Sequence, residues 1–140
     1  FLVMNGDLLT TLDYRSIYED HCASGAAATI GIYSREVKID FGVIEHNDAG
    51  DLAAYIEKPV YKFEVSMGVN VLNPTKVRPF LRAGEYLDIP QLMLKLKDGG
   101  ERVRCYRSSC YWLDIGRLDD YQTANEIFER RKAEFLPEES

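Results

Sequence analysis

The chain has little histidine or cysteine: two and three residues respectively in 140. His21 and His46 are too few and too far apart for a zinc site. Cys22, Cys105 and Cys110 are odd in number and lack metal-ligand spacing. Reduced thiols packed inside a cytoplasmic protein are therefore expected. No apolar run approaches the length of a membrane span, so no membrane partner is expected. Phe1-Leu2-Val3-Met4 is too short for a leader and has no basic flank. The first residue is not methionine, which reads as a trimmed or partial chain. An excess of positive charge is missing too. The net charge of −6 disfavours a nucleic-acid binder, which needs a basic face. It leaves room for a nucleotide substrate, because a cation and a few local Lys or Arg residues can supply a positive field within an acidic protein. Internal repeats, low-complexity tracts and linkers are absent.

What is present suits a packed core. Hydrophobic residues make up 46% and charged residues 29%, in one domain or part of one. Leu2, Val3 and Met4 read as a buried strand. Thr11 is a plausible helix cap, and Tyr14, Ile17, Tyr18, His21 and Cys22 fall on one helix face that ends at Gly25. Residues 26–33 read as a strand of small residues. Residues 34–40 read as a polar loop, followed by a hairpin over 41–56 that turns at Asn47-Asp48-Ala49-Gly50. Residues 61–64 read as connecting chain and 65–72 as an apolar strand. Asn73-Pro74 opens a helical turn. A helix capped by Asp88 ends at Gly99-Gly100, with Ile89, Leu92, Met93 and Leu96 on its apolar stripe. Residues 102–106 read as a strand with Val103 and Cys105 inward. Residues 111–113 form another, and a last helix runs from about Asp119 to about Glu134.

Two places join a short apolar strand to an aspartate beside a glycine: Asn5-Gly6-Asp7 and Trp112-Leu113-Asp114-Ile115-Gly116. In open α/β sheets ligands gather at strand ends, and a carboxylate there can hold a divalent cation. The plainer reading of Asp7 is a turn residue or helix cap. Glu57-Lys58-Pro59 and Ser66-Met67-Gly68-Val69-Asn70-Val71 lie between the two aspartates. In this order the motifs resemble those of the sugar-1-phosphate nucleotidyltransferases, of the glucose-1-phosphate thymidylyltransferase or mannose-1-phosphate guanylyltransferase kind. The resemblance covers most of the chain. Asn5-Gly6-Asp7 is similar to the first metal-binding aspartate motif, and Tyr111-Trp112-Leu113-Asp114-Ile115-Gly116-Arg117 to the second. Glu57-Lys58-Pro59 is similar to the sugar-phosphate motif, and the Gly68 stretch to the sugar-contact strand.

The resemblance implies an α/β fold, part of a Rossmann-like three-layer nucleotidyltransferase domain with a mixed, mostly parallel sheet. It implies that residues 1–140 are the C-terminal, sugar-phosphate and metal-binding part of that domain. The implied reaction joins a nucleoside triphosphate to a sugar-1-phosphate, giving a nucleotide sugar and pyrophosphate. Asp7 and Asp114 are the implied Mg²⁺ ligands, and with Lys58 they form the catalytic set. Lys58 is expected to meet the sugar phosphate, with a surface pair to Glu57 as the alternative. Glu57 is expected to accept from sugar hydroxyls and Ser66 to offer a backbone group. Gly42 and Gly68 correspond to sugar contacts, though Gly42 also reads as a strand irregularity. Trp112 is a candidate to pack under the sugar, with an inward core position as the alternative. Arg117 is a candidate phosphate contact or a surface ion pair.

The family's Gly-rich loop with Arg and Lys, which cradles the triphosphate, has no counterpart here, so the segment alone is expected to be inactive. Cys110, Leu118, Met67 and Asn70 also depart from the family's pattern and leave the sugar open. Two other readings stay open: a non-catalytic sugar-phosphate-binding or regulatory module on the same scaffold, and a nucleotide-sugar-dependent glycosyltransferase. The latter is expected to carry two aspartates separated by one residue, a pattern the chain lacks. Strand edges left bare carry a risk of pairing between copies, which leaves a homo-oligomer open while the sequence does not set the oligomeric state.

Overall fold

The computed structural model describes residues 1–116 and 118–137. They fall into two compact units, Phe1–Tyr33 with Ser66–Ser140, and Ser34–Val65. The first is built on a four-stranded sheet of β1 (Leu2–Met4), β6 (Val60–Leu72), β3 (Ala28–Lys38) and β7 (Val103–Arg107), in that order. β1 pairs antiparallel to β6, with Val3 opposite Asn70, and β3 pairs parallel to β7, with Ile30 opposite Cys105. Asn73 N–H, just past β6, donates to Ala27 O, just before β3, at 2.9 Å. β6 therefore runs against β3 as well. β1, β3 and β7 share one direction, so the sheet is mixed and three of its four strands run the same way.

Alternation along the strands explains the layers. Ala28, Ile30, Leu72, Val3 and Val103 pack with Leu92, Met93 and Leu96 of α3 (Ile89–Asp98) and Val77 of α2 (Pro74–Val77). Leu2, Met67, Val69, Val71 and Tyr33 pack with Ile17 of α1 (Tyr14–Ser24) and with Leu12. The sheet thus has a helix layer on each face. Gly31 is bare because a Cβ there would lie 3.1 Å from Val69 O and 3.5 Å from the Ile17 side chain. The helices start and stop as their sequences predict at Asp88, whose side chain accepts from Gln91 N–H, and at Asn73, which accepts from Thr75 and Lys76 N–H. α1 is capped by Asp13 rather than Thr11: Asp13 accepts from Arg15 N–H and Ser16 Oγ, while Thr11 Oγ1 is taken by Tyr111 N–H at 2.9 Å. Lys76 Nζ and the Arg102 guanidinium donate to the carbonyls of Gly25 and Ser24, covering the negative end of α1.

The cysteines depart from expectation. Cys22 and Cys105 are exposed and Cys110 is half-buried, all as free thiols. Cys105 lies on the face of β7 that also carries core-packed Val103, but beyond the reach of that core, and its neighbour Arg104 is fixed by a two-pronged pair with Asp20 of α1. A separate ribbon pairs β2 (Leu8–Thr10) with β8 (Trp112–Asp114). After it, α4 (Leu118–Arg130) and α5 (Lys132–Phe135) close the chain. Phe135 meets the Tyr111 ring edge-on at 5.9 Å, and the Arg131 guanidinium lies over that ring at 4.7 Å.

In the second unit, residues 34–38, expected as loop, and 61–64, expected as connecting chain, are continuations of β3 and β6. Lys62 Nζ pairs with Glu36 Oε1 at 3.0 Å, and Ile39 N–H donates to Pro59 O at 3.0 Å. Almost every residue there faces water, Val37, Val60, Tyr61 and Phe63 included, so neither stretch shows the buried face that marks a strand. The hairpin of β4 (Val43–His46) and β5 (Leu52–Ile56) has a register shift at Glu45/His46. Its turn is held by Asn47 Oδ1, which accepts from Ala49 and Asp51 N–H, and by Gly50 at φ 86°. No helix among the described residues is long and apolar enough to cross a membrane.

Candidate active site

The first unit brings Asp7 and Asp114 to one small cavity of about 100 Å³, whose walls include Asn5, Ser66, Gly68 and Trp112. The backbone explains how. β1 ends at Met4, opposite Val69, and Asn5 N–H extends the pairing by donating to Gly68 O at 2.9 Å. Gly6 then turns the chain into β2. Asp7 is therefore not at the tip of a main-sheet strand; it opens the separate ribbon. There Asp7 O accepts from Ile115 N–H at 2.7 Å and Leu8 faces Asp114, which leaves the two aspartates diagonal to each other at the ribbon's end. Further along, Thr10 Oγ1 donates to Tyr111 O at 2.8 Å, and Thr11 N–H donates to the same carbonyl at 3.0 Å.

Trp112 is half-buried and does two things. Its indole N–H donates to Met67 O at 2.9 Å, and its ring lies 5.6 Å from Tyr33. It is thus packed against the sheet while still forming a cavity wall, so both expectations for it describe part of its surface. Ser66 Oγ accepts from Gly68 N–H at 3.2 Å. Gly68 has φ 73°, a left-handed backbone that favours glycine. A Cβ there would also lie 2.8 Å from Asn5 Nδ2.

Asp7 and Asp114 are exposed, and neither has an ion-pair partner among the described residues. Two carboxylates sharing a small cavity repel each other, and a divalent cation relieves the repulsion. The donor set fits Mg²⁺, which takes one or two protein carboxylates and keeps water or phosphate oxygens for the rest of its shell. Among the described residues no three His, Cys, Asp or Glu side chains gather into a closed cage.

Gly42, Glu57 and Lys58 belong to the second unit. Lys58 stands at φ 45°, unusual for a residue with a side chain, and its Nζ is 3.9 Å from Glu57 Oε1. Both side chains are more than half exposed, so this loose pair leaves the ammonium available. A Cβ on Gly42 would come 2.5 Å from the Tyr55 hydroxyl, so the bare position admits the Tyr55 ring within the hairpin. Arg117 lies outside the described residues. The residue that sequence reasoning left unassigned is Asn5, which lines the cavity; its signal was its place in Asn5-Gly6-Asp7.

A family model described as "Nucleotidyl transferase" matches residues 1–131. The chain is 30% identical over 131 residues to a UTP–glucose-1-phosphate uridylyltransferase of Synechocystis sp., a match covering 89% of this chain and 34% of that protein. It is 24% identical over 135 residues to a mannose-1-phosphate guanyltransferase of Schizosaccharomyces pombe, covering 91% of this chain and 36% of that protein. Among solved structures, a putative glucose-1-phosphate thymidylyltransferase from Bacillus anthracis superposes with a TM-score of 0.62 at 20% identity, over 90% of this chain and 53% of that one. The chain spans about a third of the length of the curated relatives it matches.

Proposed function

The chain belongs to the nucleotidyl transferase family of sugar-1-phosphate enzymes, and on that premise we propose that, within a longer chain, it serves nucleotidyl transfer from a nucleoside triphosphate to a sugar-1-phosphate. A phosphate oxygen of the sugar-1-phosphate attacks the α-phosphorus, the bond to the bridging oxygen of pyrophosphate breaks, and a nucleotide sugar forms. The nucleophile is already an anion, so no general base is assigned. The obstacle is electrostatic, because two polyanions must meet.

The observation that carries the reading is the convergence of Asp7 and Asp114 on one cavity, walled by Gly68 and Trp112. The two carboxylates would hold Mg²⁺, which would supply compact positive charge to the phosphates when bound. Lys58 offers a point charge to the sugar phosphate, while Glu57, Ser66 and Gly68 contact the sugar; Gly42, covered by the Tyr55 ring, is given no contact. Trp112 gives the sugar a flat wall. The segment alone is inactive, because none of its stretches is a Gly-rich basic loop able to cradle a triphosphate.

The test is pyrophosphate release by the full-length protein with Mg²⁺, each nucleoside triphosphate and a panel of sugar-1-phosphates. The reading requires release that depends on both substrates. Release without sugar-1-phosphate, or none with any pair, contradicts it.

A further inference from the structure

The Asn5 side chain occupies a place prepared for it. Its backbone N–H is spent on Gly68 O at 2.9 Å, which fixes where the side chain begins. The carboxamide then rests on the bare α-carbon of Gly68. A Cβ added there would lie 2.8 Å from Nδ2, 2.9 Å from Cγ and 3.3 Å from Cβ of Asn5. Any side chain at position 68 would displace it. Gly68 therefore serves two ends, its own φ of 73° and the seat of Asn5.

An exposed asparagine ordinarily samples several rotamers. This one is exposed, lies against the bare α-carbon of Gly68, and makes no side-chain hydrogen bond among the described residues. Its two donors and its acceptor are free on the wall of the cavity that holds Asp7 and Asp114. The cavity's other polar groups are of different chemistry. The carboxylates suit a cation, and Ser66 Oγ has one lone pair committed to Gly68 N–H, leaving its O–H to donate. A neutral amide that both donates and accepts matches a hydroxyl, which does the same.

Resting on the functional reading above, we propose that Asn5 is a specificity-determining residue whose carboxamide hydrogen-bonds a sugar hydroxyl of the sugar-1-phosphate, with Gly68 as the seat that holds it in place. The predicted signature is a preference for the hydroxylated sugar that disappears with the amide.

The experiment measures pyrophosphate release by the full-length protein with the accepted sugar-1-phosphate and each of its singly deoxygenated analogues. Wild type is compared with Asn5→Leu, which keeps the bulk, and with Asn5→Ala, which removes it. Wild type should favour the parent over at least one analogue by about two- to tenfold in kcat/KM, as for one neutral hydrogen bond. Both variants should lose that factor on the parent and nothing on the analogue, with the triphosphate KM unchanged. Variants that keep the wild-type preference toward every analogue, or that change only the triphosphate parameters, overturn the assignment of Asn5 while leaving the transfer reaction in place. A wild-type protein without turnover on any sugar-1-phosphate overturns the functional reading, and this proposal with it.

Discussion

The carbonyl of Asp7 accepts the N–H of Ile115 at 2.7 Å, and this bond brings together two aspartates 107 positions apart in the chain. It sets the register in which Leu8 faces Asp114, so both carboxylates reach the same cavity. The pair is a product of the β2–β8 ribbon, whereas the main sheet supplies the opposing wall through Met67 and Gly68.

Gly68→Ala should destabilise the fold by about 1–3 kcal/mol, the cost of a strained backbone at φ 73° together with displacement of Asn5. Urea denaturation followed by circular dichroism measures it. Gly50→Ala is the comparison: φ is 86° there but a Cβ meets nothing within 4 Å, so its loss should be smaller.

His21 makes stability depend on pH near neutrality. It is 6% exposed, its Nδ1 is 2.9 Å from Thr29 Oγ1, and burial lowers its pKa below the ordinary 6.5. The unfolded chain thus binds the proton more readily than the folded one. The contribution of neutral His21 is complete above pH 6.5 and is lost as pH falls through the depressed folded value. Asp20, lowered chiefly by its bond to Arg104, acts in a separate window below its ordinary 3.8. Thermal midpoints between pH 7.5 and 5 should fall for wild type and fall less for His21→Gln. Equal slopes would remove His21 as the cause.

Lys58→Ala in the full-length protein should weaken the sugar-phosphate side alone. A charge-assisted phosphate contact is worth about 1.5–3 kcal/mol, roughly ten- to over a hundredfold. The loss appears in KM for sugar-1-phosphate, and in kcat as well if the contact tightens in the transition state. Steady-state kinetics with each substrate varied, plus direct titration of triphosphate, separates the two sides. An effect confined to triphosphate would show that the role assigned to Glu57-Lys58-Pro59 is wrong. Lys58→Arg need not rescue, because a planar fork does not replace a compact ammonium.

Much of the fold was legible because periodicity and caps act locally. The stripe Leu92, Met93, Leu96, the cap at Asp88 and the stop at Gly99-Gly100 appear where the sequence places them. What escaped depends on partners distant in sequence. Residues 34–38 and 61–64 look like loop because both faces are wet, yet they are strand. Cys105 looked inward by alternation, and it does share the face of β7 on which Val103 packs, yet the core stops short of it and leaves it exposed. Thr11 looked like a cap, yet its hydroxyl is claimed by Tyr111 N–H. At the site, Asp7, Asp114, Ser66, Gly68 and Trp112 were legible as motifs, and the structure brings these five to one cavity. Asn5 was hidden because its role depends on the bare α-carbon of Gly68, 63 positions away. Gly42 answers to Tyr55, a packing need that no local pattern announces.

The most direct test is a titration of the chain with Mn²⁺, a stand-in for Mg²⁺ with a paramagnetic signal, in wild type, Asp7→Asn and Asp114→Asn. Each variant is first checked for an unchanged far-ultraviolet spectrum. Free Mn²⁺ is read by electron paramagnetic resonance. Trp112, the single tryptophan of the 140 residues, reports locally because it lines the same cavity and its fluorescence is quenched by a neighbouring paramagnetic ion. The account predicts one ion per chain, quenching of Trp112, and affinity reduced about tenfold or more by either substitution, the scale of one charged contact. Binding that is equally strong in all three proteins, or that leaves Trp112 unquenched, would contradict the shared metal site and the mechanism built on it.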